Sequence, residues 1–229
     1  MNLRERLSAM ASFVLPHARV ADIGTDHAYL PIHLAMNQHI DYIVAGEVNP
    51  GPYRAAQESI ARLGLEKKIF LRFGDGLSVV RPSEVDTATI AGMGGQTIVE
   101  ILAQNIEVTH SIRRFILQPM IAASYLRSWL INNGWYIIDE ELVLEDGKLY
   151  EIIVVEQGKA PLVEEILLEV GPLLWKKKHG LLAVHLDNLI AQSQKVLKEM
   201  ARSPIAQKSD KYQAYIKKAN TLEEMRGCL

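Results

Sequence analysis

Residues 20–35 read VADIGTDHAYLPIHLA, and the turn in their middle decides the fold. A short apolar run closes on Asp22 and Gly24, and a helical pattern begins near Ala28. A buried strand that ends in a glycine turn and feeds a helix is the opening unit of a nucleotide-binding α/β sheet. Loops that cradle a dinucleotide pyrophosphate carry two or three glycines here. This one carries only Gly24, and Asp26 and His27 stand in the turn instead. A carboxylate in that position repels a pyrophosphate and suits a ligand with a cationic centre. The backbone amides of residues 24–28 are expected to face that ligand from the helix N-terminus.

The alternation continues outward. The strand 19–24 and helix 28–38 are followed by strand 41–48 and helix 52–65, then by strand 68–73. Strand 85–92, helix 95–106, strand 113–119 and helix 122–134 complete the series. Strands alternating with helices imply a parallel, doubly wound sheet. The next two segments, 135–145 and 149–157, are both strand-like, and Asp146-Gly147 between them is a hairpin signal. A parallel sheet ending in an antiparallel hairpin is the Rossmann-like arrangement of class I methyltransferases. From Pro161 onward the periodicity is purely helical, with long helices over 181–200 and 211–225 broken at Ser203-Pro204. The expected organisation is therefore a catalytic domain over residues 1–159 and an all-helical, coiled-coil-like domain over 160–229.

Ligands of open α/β sheets bind outside the carboxyl ends of the strands, and four successive strand ends carry suitable groups. Gly24, Asp26 and His27 follow strand one. Glu47 ends strand two, 23 positions after Gly24, where an acid commonly takes ribose hydroxyls; Val48 beside it can cover an adenine ring, and Asn49 follows. Asp75 and Gly76, in the Gly-Asp-Gly turn after strand three, are placed to accept from an exocyclic amine. Gly92, Met93, Gly94 and Gly95 follow strand four and allow close backbone approach. Each feature has a structural alternative: a polar cap, a surface acid, a plain turn. Their convergence on one crevice supports S-adenosylmethionine, whose ammonium and sulfonium match the acid in the first turn.

Composition bounds the rest. The chain has 229 residues, is 48% hydrophobic and 23% charged, and carries one cysteine, Cys228. No internal disulfide is available, so a reducing, cytoplasmic location is expected. No apolar run approaches the roughly 20 residues that span a bilayer, so no membrane is expected as partner. The opening MNLRERLSAMASFVLP reads as an amphipathic helix rather than a leader. The seven histidines lack metal-ligand spacing, and no metal site is expected. Residues 1–160 carry a net charge of −5 and residues 161–229 a net +3. A basic tail suits a polyanion, and a solvated helix face is the structural alternative that charge alone favours. Lys176, Lys177 and Lys178 beside Trp175 are the tail's densest basic cluster, a candidate contact to RNA.

The blocks ADIGTDHAYLP, AGEVNPGPY, GDGL, IAGMGG, ILQP and EDGKLYEI resemble, in order, the signature blocks of the bacterial tRNA adenine-22 N1-methyltransferases. The resemblance covers roughly residues 1–160; Thr25 stands where serine is usual, which keeps the hydroxyl. It implies a methyl donor, S-adenosylmethionine, along Gly24, Asp26, His27, Glu47, Val48, Asn49, Asp75, Gly76 and Gly92–Gly95, and tRNA as partner of the helical domain. On the acceptor side, Asp26 is a carboxylate for the adenine amine, the Met93 backbone and Gln118 are polar contacts, and Tyr29 with His27 orients or stacks on the base. Two rival readings stand beside it: a methyltransferase acting on a small molecule or protein, and a non-catalytic RNA-binding module.

Overall fold

The computed structural model describes residues 3–37 and 40–229, and the chain divides after Pro161 into two units. The first unit begins with α1 (Glu5–Ser12) and continues through β1 (Arg19–Ile23), α2 (Tyr29–Asn37), β2 (Tyr42–Glu47), α3 (Pro50–Arg62) and β3 (Ile69–Phe73). The expected helix 28–38 extends to Gln38, which lies outside the described residues. A 3-10 turn at Gly76–Val79 precedes β4 (Thr87–Met93), α4 (Gly95–Gln104), α5 (Ile106–Ser111) and β5 (Arg114–Pro119). Then come α6 (Ala123–Asn132), β6 (Trp135–Glu145) and β7 (Lys148–Gln157). The single helix expected over 95–106 is two helices that meet at Asn105, whose backbone leaves helical geometry (φ −121°, ψ 57°).

The seven strands form one sheet in the order β3-β2-β1-β4-β5-β7-β6. β1 to β5 run parallel, and β7 is antiparallel to both β5 and β6. This is the Rossmann-like fold, and the hairpin returns so that its second arm lies inside. Burial explains which arm goes in. Ile152, Ile153, Val154 and Val155 of β7 are all fully buried, so both faces of that arm need cover. β6 alternates and carries Asp139, Glu140 and Glu141, as an edge strand can. Burying one such aliphatic side chain is worth about 1.5–3 kcal/mol, so exchanging the arms would forfeit several of them. The two-residue turn Asp146-Gly147 has φ of 50° and 74°, the hand that matches strand twist.

One face of the sheet is covered by α1, α2 and α3. Met10, Ala11 and Val14 of and after α1 share a core with Leu30, Ile32 and Leu34 of α2, with Ala56 and Ile60 of α3, and with Ile116, Ile152 and Val154 beneath. Along β5 the neighbours Phe115 and Leu117 alternate to the other face, where Phe115 meets buried Trp135 edge-on at 5.0 Å. α4 and α6 pack against each other in that layer.

At the β3 edge, Glu84 gathers three segments. Arg72 donates to both of its oxygens (2.6 and 2.8 Å), Tyr42 Oη donates at 2.7 Å and the Arg81 amide at 2.9 Å. The Arg72 hydrogen bonds hold the Glu84 carboxyl down at about 2, against a partial opposing effect of burial. A depressed folded pKa contributes stability that is present above the ordinary value of 4.5 and is lost as pH falls toward 2. Glu84→Gln is therefore expected to be less stable than the parent at pH 7. The gap should persist down to about pH 4.5 and close toward pH 2, as urea unfolding at each pH will show.

The second unit holds α7 (Glu165–Val170), α8 (Pro172–Lys176), α9 (Leu182–Met200), α10 (Pro204–Gln207) and α11 (Asp210–Gly227). α9 and α11 lie antiparallel: Arg226 pairs with Asp187 at 2.8 Å and Gln194 with Glu223 at 3.0 Å. Buried Leu182, Leu186, Ala219 and Leu222 lie in this pair, while Val170 and Leu174 of α7 and α8 are also buried. Ser203 and Ser209 cap α10 and α11, each accepting from an amide three residues on, so the break at Ser203-Pro204 becomes a capped restart.

Candidate active site

The carboxyl ends of β1 to β4 open onto a cleft of about 250 Å³. Gly24, Glu47, Val48, Asp75, Gly76 and Met93 line it, contributed by four strand ends. Its acids are Glu47, Asp75 and Glu100, and among the described residues no lysine or arginine lines it. Such a cleft disfavours a phosphate-bearing ligand and favours a cationic one.

The glycine turn differs from the sequence expectation in one respect. Four of the five amides from Gly24 to Ala28 are used inside the protein. Gly24 and Thr25 donate to the Gly46 carbonyl (2.9 and 3.0 Å), Ala28 donates to Thr25, and Asp26 donates to Glu47 Oε2 at 3.2 Å. The turn is thus not an anion cradle. Its job is to lash β1 to β2 and turn the Asp26 side chain outward. Gly24 sits at φ +74°, so the turn needs glycine for its backbone; a Cβ there would also meet the Met93 methyl, the movable end of a flexible side chain. Asp26 and Ala28 hold φ of 52° and 58°, which glycine would adopt without strain. Asp26 keeps a carboxylate at that position with 63% of its side chain exposed.

Glu47 is the hub. Its Oε1 accepts from the amides of Val48 (2.9 Å) and Asn49 (2.8 Å) and from Asn49 Nδ2 (3.1 Å), while Oε2 accepts from Asp26. The residue is only 4% exposed. A carboxylate has about four acceptor positions, and Oε2 uses one of its two, which leaves room for a ligand hydroxyl. Sequence reasoning placed Glu47 at the cleft as a ribose acceptor; it is in addition a buried brace, with one acceptor to spare. Asn49 serves it by orienting its carboxylate rather than by lining the cleft. Behind it, burial raises the pKa of Asp22; the hydrogen bond from Thr89 (2.6 Å) opposes the rise, and the charge of Glu47 adds to it.

At the end of β4, Met93 reaches the cleft, and Gly92 before it has φ +75°. Gly95 is buried and donates to the Ile121 carbonyl at 2.9 Å; a Cβ there would run into the Ala122 carbonyl. Gly95 therefore seats α4 on the β5–α6 loop instead of facing the ligand. Neither Gly92 nor Gly94 lines the cleft. The opposite wall is one face of α4: exposed Thr97, Glu100 and Gln104 with buried Ile101 among them. Sequence reasoning missed these four. Their three- and four-residue spacing marks one helix face, but three polar side chains on a face read as solvated surface.

On the acceptor side, His27 and Tyr29 stack with centroids 5.3 Å apart at 15°, and His27 Nε2 lies 3.6 Å from Asp26 Oδ1. Both rings are partly open to solvent, Tyr29 at 40%. Gln118 is a correction. Expected as a substrate contact, it is fully buried and its amide is engaged at both ends. Oε1 accepts from the Gly92 amide (3.1 Å) and from Arg6 (2.6 Å), and Nε2 donates to the Pro119 carbonyl (2.9 Å). Lys176, Lys177 and Lys178 are exposed at the end of α8 in the second unit.

Comparison with known proteins agrees with this geometry. The pattern of the family described as TrmK, tRNA (adenine(22)-N(1))-methyltransferase, matches residues 20–221. The tRNA (adenine(22)-N(1))-methyltransferase of Bacillus subtilis is 35% identical over 208 residues, covering 89% of this chain and 87% of that protein. A Streptococcus pneumoniae protein crystallised with S-adenosyl-L-methionine superposes with a TM-score of 0.88 at 33% identity, covering 98% of this chain and 100% of that one. TrmK of M. capricolum, bound to S-adenosyl-homocysteine, superposes at 0.84 with 30% identity, covering 98% of each chain. With an acid-lined cleft at the strand ends and a family pattern that spans most of its length, this chain belongs to the TrmK family of tRNA (adenine(22)-N(1))-methyltransferases.

Proposed function

We propose that the chain methylates N1 of adenine 22 in tRNA, with S-adenosylmethionine as donor. The observation that carries the reading is the cleft with three acids and, among the described residues, no lining lysine or arginine, which fits a ligand bearing an ammonium and a sulfonium. Bound there, S-adenosylmethionine supplies an electrophilic methyl carbon on a positively charged sulfur. Asp26 is exposed beside the turn to meet the ammonium, and the spare acceptor of Glu47 takes a ribose hydroxyl. Asp75 accepts from the adenine amine of the donor, with Val48 and Ile101 as apolar cover. Gly24 and Met93 shape the middle of the cleft.

Adenine N1 has an in-plane lone pair and needs no strong base before attack. The protein's task is alignment of N1 with methyl carbon and sulfur. N1 also lies on the pairing edge, so a paired target must be exposed first. The stacked His27–Tyr29 pair offers a platform for the displaced base, and Asp26, 3.6 Å from His27, is a carboxylate beside it to stabilise the cationic product. The test is nucleoside mass spectrometry of tRNA transcript incubated with protein and labelled donor. One N1-methyladenosine per tRNA is expected, and none when adenine 22 is replaced by guanine. Undiminished methylation of the guanine variant would refute the base assignment. We place this enzyme in the cytoplasm, where its tRNA substrate resides; among the described residues no helix is long and apolar enough to cross a membrane.

The helical unit 162–229 is the proposed tRNA-binding element, supported by its net +3 and by the exposure of Lys176–Lys178. Reversing these three lysines to glutamate is expected to lower tRNA affinity, because binding by phosphate contacts releases counterions. The slope of log affinity against log salt should flatten by about two to three units. Affinity for S-adenosylmethionine should not change. An unchanged tRNA affinity and salt slope would remove this cluster from the interface.

A further inference from the structure

Arg6 lies in α1, ahead of every strand, yet its guanidinium reaches the carboxyl end of β5. It donates to Gln118 Oε1 at 2.6 Å and lies over the Tyr150 ring, 5.4 Å from its centroid. The helix that carries it is pinned to the hairpin, since the Arg6 amide donates to Glu145 at 2.9 Å. Gln118 Oε1 also accepts from the Gly92 amide at 3.1 Å. Two donors on one oxygen fix which way the buried amide points. Flipped, its NH2 group would face the guanidinium and the Gly92 amide, with no acceptor between them. Gly92 in turn sets the path of Met93, whose methyl packs over Gly24 and whose side chain lines the cleft.

We infer that Arg6 is a positioning residue for methyl transfer: it orients the Gln118 amide, and through it holds the Gly92–Met93 turn against which donor and acceptor are aligned. The inference rests on the methyltransferase reading. Arg6 touches neither cofactor nor substrate in this scheme and acts only through Gln118. A charged donor suits the task, because a charge-assisted hydrogen bond to a buried amide oxygen is roughly twice as strong as a neutral one. A guanidinium can also stack on Tyr150 while it donates edgewise, which an ammonium does less well.

The test uses the full chain. Arg6→Met keeps the aliphatic stem and removes the donor. It is expected to lower kcat about ten- to a hundredfold, the range for loss of one hydrogen bond to a charged group. KM for S-adenosylmethionine should stay within about threefold, because Glu47 and Asp75 are untouched. Arg6→Lys restores a charged donor and should recover most of kcat. Arg6→Met combined with Gln118→Ala should be no slower than Gln118→Ala alone, since one residue acts through the other. Independently of activity, hydrogen exchange at the Gly92 amide should quicken in Arg6→Met and in Gln118→Ala. It should be unchanged in Arg4→Ala, which removes the pairings of Arg4 with Asp146 and Glu145 and leaves the Arg6 guanidinium on Gln118 in place. Additive losses in the double variant, or unaltered protection of the Gly92 amide in Arg6→Met, would overturn the inference. Failure of the parent protein to methylate tRNA would instead overturn the methyltransferase reading and leave the exchange result to judge Arg6.

Discussion

Glu47→Ala is expected to lose both ligand and stability, and the two losses have separate causes. The substitution strips the acceptor from three backbone amides, those of Asp26, Val48 and Asn49, and from Asn49 Nδ2. Water can reach these donors only in part, because Glu47 is 4% exposed. Buried donors left without partners cost about 1–3 kcal/mol each, and with partial rescue by solvent we expect the variant to lose about 2–4 kcal/mol in urea unfolding. The affinity for S-adenosylmethionine should fall about a hundredfold, as one charge-assisted ribose contact disappears and the turn that presents Asp26 loosens. Asp26→Asn separates the terms. It keeps a residue type that tolerates the left-handed backbone and removes only the exposed charge. Its affinity should drop about tenfold with stability within about 0.5 kcal/mol of the parent. Calorimetric titration and urea melts measure both. If neither variant binds the donor more weakly, the cleft is not the donor site.

Arg127→Ala is expected to be the most destabilising single change in the first unit. Arg127 of α6 donates to Glu140 of β6 at 2.7 Å and to Glu151 of β7 at 2.6 Å. Arg127 and Glu140 have no exposed side-chain area, and Glu151 has 20%. Burial alone would pull the Arg127 pKa down; the two carboxylates outweigh it and raise it above the ordinary value. Removing one member of a buried ion pair leaves an uncompensated charge, which costs about 3–5 kcal/mol. Combining Arg127→Met with Glu140→Gln and Glu151→Gln removes the charges together and should regain most of the loss. A single variant with parental stability at pH 8 would show that the triad is not holding α6 to the hairpin.

Much of this protein was legible in its sequence because local chemistry and global fold agree. The apolar runs and glycine stops of residues 19–134 marked five strands and their helices, since strand and helix periods differ and each run is long enough to show its own. Asp146-Gly147 marked the hairpin because its backbone demands those residue types. Gly24, Glu47, Asp75 and Met93 could be placed at one cleft because the parallel topology brings the ends of consecutive strands together. The purely helical pattern after Pro161 separated the second unit for the same reason of period.

Other features depend on contacts between segments far apart in the chain, and no local pattern reports them. Which hairpin arm lies inside was settled by the need to cover Ile152–Val155 on both faces. That Glu47 is a buried brace follows from where the Asp26 turn lands beside it, 21 residues away in sequence. The amides of the first turn look free for a ligand until β2 supplies the Gly46 carbonyl that takes two of them. Gln118 reads as a polar strand end until Arg6, 112 residues earlier, closes on it. Arg127, Glu140 and Glu151 stand on a helix and two strands, and become a buried triad only when α6 is laid against the hairpin. Sequence periodicity reports which side of an element is apolar; which polar group it meets there is decided by packing, because a hydrogen bond forms only once both partners have been brought within about 3 Å.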